Sequence, residues 1–237
     1  MGLTVHFRFR SAARTAIEIR AQVSQLRTRA LNLPFAEVGE LIEFNQPIAI
    51  DASVRDHPAG WLLCQSRHHF EHKGLRYFVT PQQMIAFVTL PGEGCEPFNL
   101  GLCQYPTTLP LKTEGGRIRR IKTGVRPNEW TWSSFCKTQY VSDPRCGGAS
   151  NFLKCHLLVT AILDFAKSLN LLEEVDDESD YWQHRDVEAL VKEVGQWNAT
   201  IARIAGELKD QFGDQIVAPI TKFPNFEHLE AQGHQAP

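Results

Sequence analysis

No run of apolar residues in this chain approaches the roughly 18 needed to cross a bilayer. The most apolar stretch, residues 152–166, is broken by Lys154, His156 and Asp164. The first ten residues alternate charged and hydrophobic side chains and contain no signal-peptide core, which leads us to expect a cytoplasmic protein without membrane contact. No C-x-x-C pair occurs among the 6 cysteines, so neither a zinc ribbon nor a thioredoxin-like redox motif is supported. Without export, their even number is no disulfide framework, and free buried cysteine behaves as a small hydrophobe. Dinucleotide fingerprint, P-loop, serine-hydrolase elbow and kinase signatures are all missing.

What remains is an ordinary globular composition. The 237 residues are 43% hydrophobic and 22% charged, with 16 Gly and 13 Pro, which excludes disordered and collagen-like readings. The net charge of −2 conceals an asymmetry: residues 1–150 carry +6 and residues 151–237 carry −8. The basic side chains fall in two groups, Arg8 to Arg29 and Arg117 to Arg126. They fit an anionic ligand or a solvated surface facing the acidic half. Nucleic acid is disfavoured, because no recognisable nucleic-acid module accompanies the charge.

Periodicity gives the order of elements. Leu3, Val5, Phe7 and Phe9 alternate with polar residues as a half-buried strand. Residues 11–31 repeat apolar positions at spacings of three and four, a helix with Ser11 as its N-cap. Short strands are expected at 38–44, 61–65, 75–80, 84–90, 100–105, 117–122 and 130–141, with a polar linker at 107–116. Residues 151–169 read as a buried helix capped by Ser150 or Asn151, and 171–175 as a strand. Asp186 caps a helix through Phe212 whose Val187, Val194, Ile201 and Leu208 recur every seven residues, as do Leu190, Trp197 and Ile204. Strands and helices do not strictly alternate. The expected class is therefore α+β, an antiparallel or mixed sheet packed by about three helices. Two ferredoxin-like halves, 1–110 and 117–212, and a docking tail at 213–237 would fit a single α+β domain over 1–237.

Several constellations are able to carry chemistry. His68, Glu71 and His72 spell the inverted zinc-protease motif, which needs a helix; here Lys73 and Gly74 follow, as in a hairpin turn, so an exposed histidine cluster is the reading. Residues 91–97 form a Gly-containing loop with Glu93, Cys95 and Glu96, suited to a polar ligand. In residues 130–140, Trp130, Trp132, Ser134, Cys136, Thr138 and Tyr140 share one strand face. The other face carries Lys137 and Gln139. Residues 130–140 and 146–156 resemble the phrasing of bacterial proteins, which implies no fold or activity.

The leading expectation is non-catalytic: a small polar molecule or a protein partner held near the 91–97 loop and the 130–140 strand. Glu93, Cys95 and Glu96 would touch it, Trp130 and Trp132 would wall it, and Lys137 and Gln139 would hydrogen-bond it. If the tryptophan face is core, Lys137 and Gln139 are the binding set. The alternative is an enzyme in which Cys136 is the nucleophile, His156 its base, and Asp176 or Asp177 orients the imidazole. A metal held by Cys136, Cys146, Cys155 and His156 is a variant of it, at spacings that match no standard zinc pattern. A third class docks a partner through the 187–208 stripe or the acid cluster at 176–180. No cofactor is assigned.

Overall fold

A computed structural model describes residues 3–45, 62, 66, 68–112, 116–138 and 144–212. Its centre is a six-stranded antiparallel sheet in the order β12-β1-β11-β8-β6-β3. The strands are β1 Thr4–Ser11, β3 Ile42–Phe44, β6 Gln83–Phe87, β8 Leu100–Gln104, β11 Trp130–Lys137 and β12 Leu172–Asp177. The protein is α+β, as its patterning implies. Strands of the two sequence halves interleave in this one sheet, for β1 pairs with both β11 and β12.

The alternation in β1 places Val5, Phe7 and Phe9 in the core and His6, Arg8 and Arg10 on the other face. Helix α1 (Ala16–Leu31) covers the core face with Ile19, Val23, Leu26 and Ala30. It begins four residues later than expected because Thr15 and Glu18 form a capping box: each side chain binds the other's backbone N–H. Ser11 instead ends β1, pairs with Trp130 and donates to Gln22 at 2.7 Å.

Helix α2 (Gly148–Ser168) joins β11 to β12 and packs beside α1. By length and composition alone it would suffice to cross a bilayer, but half of its most apolar window is buried inside the molecule. Gly147, in a left-handed conformation, precedes it, so neither Ser150 nor Asn151 is the cap. A short helix α3 (Tyr181–His184) leads into α4 (Val187–Phe212), where Asp186 accepts from the Ala189 N–H at 3.0 Å as a cap should. Along α4, Leu190, Val194 and Ala202 are buried, whereas Val187 and Ile204 of the seven-residue stripe are exposed.

Among the described residues, three two-stranded pairs lie outside the large sheet. One joins β2 (Glu37–Val38) to β7 (Thr89–Leu90). The second, β4 (His68–His72) with β5 (Leu75–Val79), turns at Lys73 and Gly74, both with positive φ. The histidine cluster is thus on a strand, where no zinc-protease helix exists. In the third, β9 (Thr108–Lys112) pairs with β10 (Ile118–Lys122), so half of the expected linker at 107–116 is strand. Of the expected strand at 61–65 only Leu62 is described, and it is buried and helical; the rest of it, most of the run beyond Lys137 and the tail at 213–237 lie outside the described residues.

The two halves of the sheet differ on the face away from α1 and α2. Over β6 and β8 that face is covered. Met84, Ala86 and Cys103 are fully buried, Cys103 touches Ser66, and the Tyr105 hydroxyl donates to the Ser66 carbonyl. Over β12, β1 and β11 no described residue covers it, and His6, Arg8, Arg10, Ser133, Phe135, Glu174 and Asp176 are exposed.

Candidate functional site

The expected site divides when its residues are placed. Trp130 and Trp132 face the core of β11 and are 1% and 0% exposed, and Trp132 Nε1 donates to the Asn99 carbonyl at 3.0 Å. They are core residues and do not wall a cleft. Lys137 lies on the opposite face, half-buried; Gln139 lies outside the described residues. The 91–97 loop and the end of β11 do meet. The Lys137 backbone N–H donates to the Glu96 carboxylate at 3.3 Å, and Asn151 of α2 donates to the Glu93 carbonyl at 3.1 Å.

Three cysteines converge beneath this loop. Cys95 Sγ lies 3.8 Å from Cys136 Sγ and also contacts the Cys155 thiol. The Cys136 thiol donates to the Glu96 carbonyl at 3.4 Å. The hydrogen bond that Cys95 makes to Cys136, with burial, pushes the Cys95 thiol far above its ordinary range; Cys95 and burial do the same to Cys155. A nucleophilic thiolate needs the opposite environment. Among the described residues, no group of three or more His, Cys, Asp or Glu side chains is placed to hold a metal ion.

His156 spends both ring nitrogens elsewhere. Its Nδ1 lies 3.0 Å from Thr138 Oγ1 and its Nε2 lies 3.2 Å from Asp177 Oδ2, both contacts fully buried. Asp177 orients the imidazole, as the sequence suggested, and also accepts from the Ser179 hydroxyl at 2.7 Å and the Trp182 N–H at 2.9 Å. Burial pushes this carboxyl up, but the bonds from His156 and Ser179 outweigh it and hold the group below its usual value. The network ties the end of β11 to α2, β12 and α3. It leaves no ring nitrogen for Cys136.

A different arrangement lies between the two outer hairpins. In the β9–β10 register, Lys112, Arg120 and Lys122 share one face with Pro110 and Thr108. Arg120, Thr108 and Pro110 line a cleft of about 750 Å³ whose opposite wall is Phe78 and Val79 of β5, with Tyr105 between. Residues 68–79 and 108–129 together hold 8 Lys and Arg against 3 Glu, a net of +5. Elsewhere, five arginines are matched by carboxylates, Arg8 with Glu174, Arg10 with Glu129 and Glu173, Arg20 with Glu43, Arg27 with Glu40 and Arg185 with Asp164, whereas Arg14 and Arg29 have no ion pair among the described residues. Lys73, Arg76, Lys112, Arg119, Arg120 and Lys122 form no ion pair among the described residues. The basic run is legible in the sequence, but its strand partner is not, because Thr107, Thr108 and Pro110 read as linker.

A smaller groove of about 330 Å³ adjoins this cleft, sharing Tyr105 with it. Its floor is Arg8, Thr131 and Ser133 from the bare half of the sheet, and His68 forms a wall. Burial lowers the His68 pKa, so the ring is neutral near pH 7, and its Nε2 lies 3.3 Å from the Thr123 carbonyl. Arg8 Nε donates to Ser133 Oγ at 3.3 Å. No family model matches the chain, and neither a curated protein nor a solved structure matches it.

Proposed function

We propose that this is a ligand-binding protein that holds an anionic ligand in the cleft between the β4–β5 and β9–β10 hairpins, without a chemical step. One contrast carries the reading. Six cations on the two hairpins, Arg120 in the cleft lining among them, have no carboxylate partner among the described residues, while five arginines of the main body are ion-paired. Unpaired like charges on two thin hairpins repel one another, and an anion relieves that repulsion. We read the location as cytoplasmic, consistent with Cys95, Cys103, Cys136, Cys146 and Cys155 standing as free thiols.

Titration calorimetry with inorganic tripolyphosphate tests this at low and raised ionic strength. Saturable binding that weakens with salt, and is abolished when Arg120 and Lys122, which share the cleft face, are both changed to Glu, is the expected result. No heat at low salt, or heat that the double variant leaves unchanged, rejects the cleft as the site. The enzyme alternative, a Cys136 nucleophile with His156, finds no support in this geometry because both imidazole nitrogens are engaged.

A further inference from the structure

We infer that the anion is a single-stranded nucleic acid, its phosphates on the β9–β10 cations and its unpaired bases on the bare half of the sheet. This rests on the reading of the cleft given above. A compact phosphate would use cations alone, yet the same surface presents flat apolar rings to water. Phe78, at the cleft wall, is 58% exposed. His6 and Phe135 stand directly opposite each other on β1 and β11 with ring centroids 5.7 Å apart, and Phe135 is 40% exposed.

These rings lie along one continuous surface. The cleft shares Tyr105 with the groove, and the groove shares Arg8 and Ser133 with a further depression of about 240 Å³ that reaches His6. Exposed aromatic rings beside a cationic groove are the means by which proteins stack successive bases while tracking a backbone. A duplex keeps its base faces inside its own stack and gains nothing from Phe78 or Phe135. Glu174 and Asp176 border the far side of the bare face and repel phosphate, which keeps the backbone on the hairpin side and turns the bases toward the sheet.

Fluorescence anisotropy with a dye-labelled oligodeoxythymidylate, an oligouridylate and a blunt duplex tests the inference, with tripolyphosphate titrated in parallel. Either single strand should bind more tightly than the duplex, and the tighter of the two names the sugar. Phe78→Ala and Phe135→Ala should each weaken single-strand binding by about five-fold or more, and Phe135→Ala, outside the cleft, should leave tripolyphosphate binding unchanged. Changing Arg120 and Lys122 together to Ala should lower the slope of log affinity against log salt by about 1.4. These side chains face solvent, and near-ultraviolet circular dichroism verifies that the variants keep the fold. If tripolyphosphate binds and the single strands do not, the cleft reading stands and this inference falls. If the duplex binds as tightly and the Phe variants change nothing, the inference is also overturned. If no anion binds, both fail together.

Discussion

Asp177 Oδ2 sits 3.2 Å from His156 Nε2 in a site where neither side chain is exposed to solvent. The carboxylate also receives the Ser179 hydroxyl and the Trp182 N–H. Replacing Asp177 by Ala therefore orphans several buried donors at once. A loss of roughly 3 kcal/mol in urea unfolding is expected, against little change for an exposed acid such as Glu174.

The same carboxylate gives a pH dependence of definite sign. Its folded pKa lies below the unfolded value of about 3.9, so the folded state binds fewer protons as the group titrates. The stability it supplies is fully present above about pH 4 and is lost as pH falls through the folded value. Unfolding midpoints measured from neutral pH down to about pH 3 should fall less steeply for Asp177→Asn than for the parent chain. Parallel curves would assign the acid sensitivity to other groups.

The limits of reading this chain from sequence follow from particular residues. The alternation of Val5, Phe7 and Phe9 with His6, Arg8 and Arg10 identifies a half-buried strand because period two is a local property. Lys73–Gly74 likewise announces its hairpin, and Asp186 its helix. Ser11 was the wrong cap because Thr15 and Glu18 form a better one four residues on, a competition between two plausible local signals. Thr108, Pro110 and Lys112 become a strand only because β10 pairs with them. That the outer face of β1 stays bare while that of β8 is covered depends on residues far apart in sequence, such as Ser66 beside Cys103, and no local pattern reports it. The expected site was half legible for the same reason. The 91–97 loop does meet the end of β11, but alternation alone left open that Trp130 and Trp132 belong to the core.

The capping box at the start of α1 offers a clean local test. Thr15 accepts from the Glu18 N–H at 3.3 Å and Glu18 accepts from the Thr15 N–H at 3.1 Å. Thr15→Ala removes the side-chain acceptor at an exposed position without disturbing the core. A loss of about 1 kcal/mol is expected by urea unfolding. Thr15→Ser should retain most of the stability, since it keeps the hydroxyl.

Gly92 tests how tightly the 91–97 loop is pressed onto α2. A Cβ placed there would lie 2.5 Å from Cys155 Sγ and 3.0 Å from Asn151 Oδ1, inside contact distance. Cys155 is fully buried. Gly92→Ala should cost about 1–3 kcal/mol, the range for overpacking a filled interior. Changing Cys155 to Ala in the same chain removes the sulfur that the new methyl meets. The double variant should then be more stable than the sum of the two single losses predicts, a coupling read from a double-mutant cycle. Additive losses would mean that the loop yields instead of the helix.

Thiol chemistry separates the binding and enzyme readings. Cys95, Cys103 and Cys155 are buried with their pKa values driven upward, by neighbouring thiols at Cys95 and Cys155 and by burial at Cys103. Only Cys146 of the five described cysteines is partly open to solvent. In the native protein at mildly alkaline pH, iodoacetamide should therefore alkylate Cys146 first among these five. Cys95, Cys103, Cys136 and Cys155 should react only after denaturant opens the core. Peptide mapping over a time course distinguishes the sites. Rapid alkylation of Cys136 ahead of Cys146 would demand a thiolate where the geometry shows an interior thiol donating to the Glu96 carbonyl, and would favour the alternative of a Cys136 enzyme.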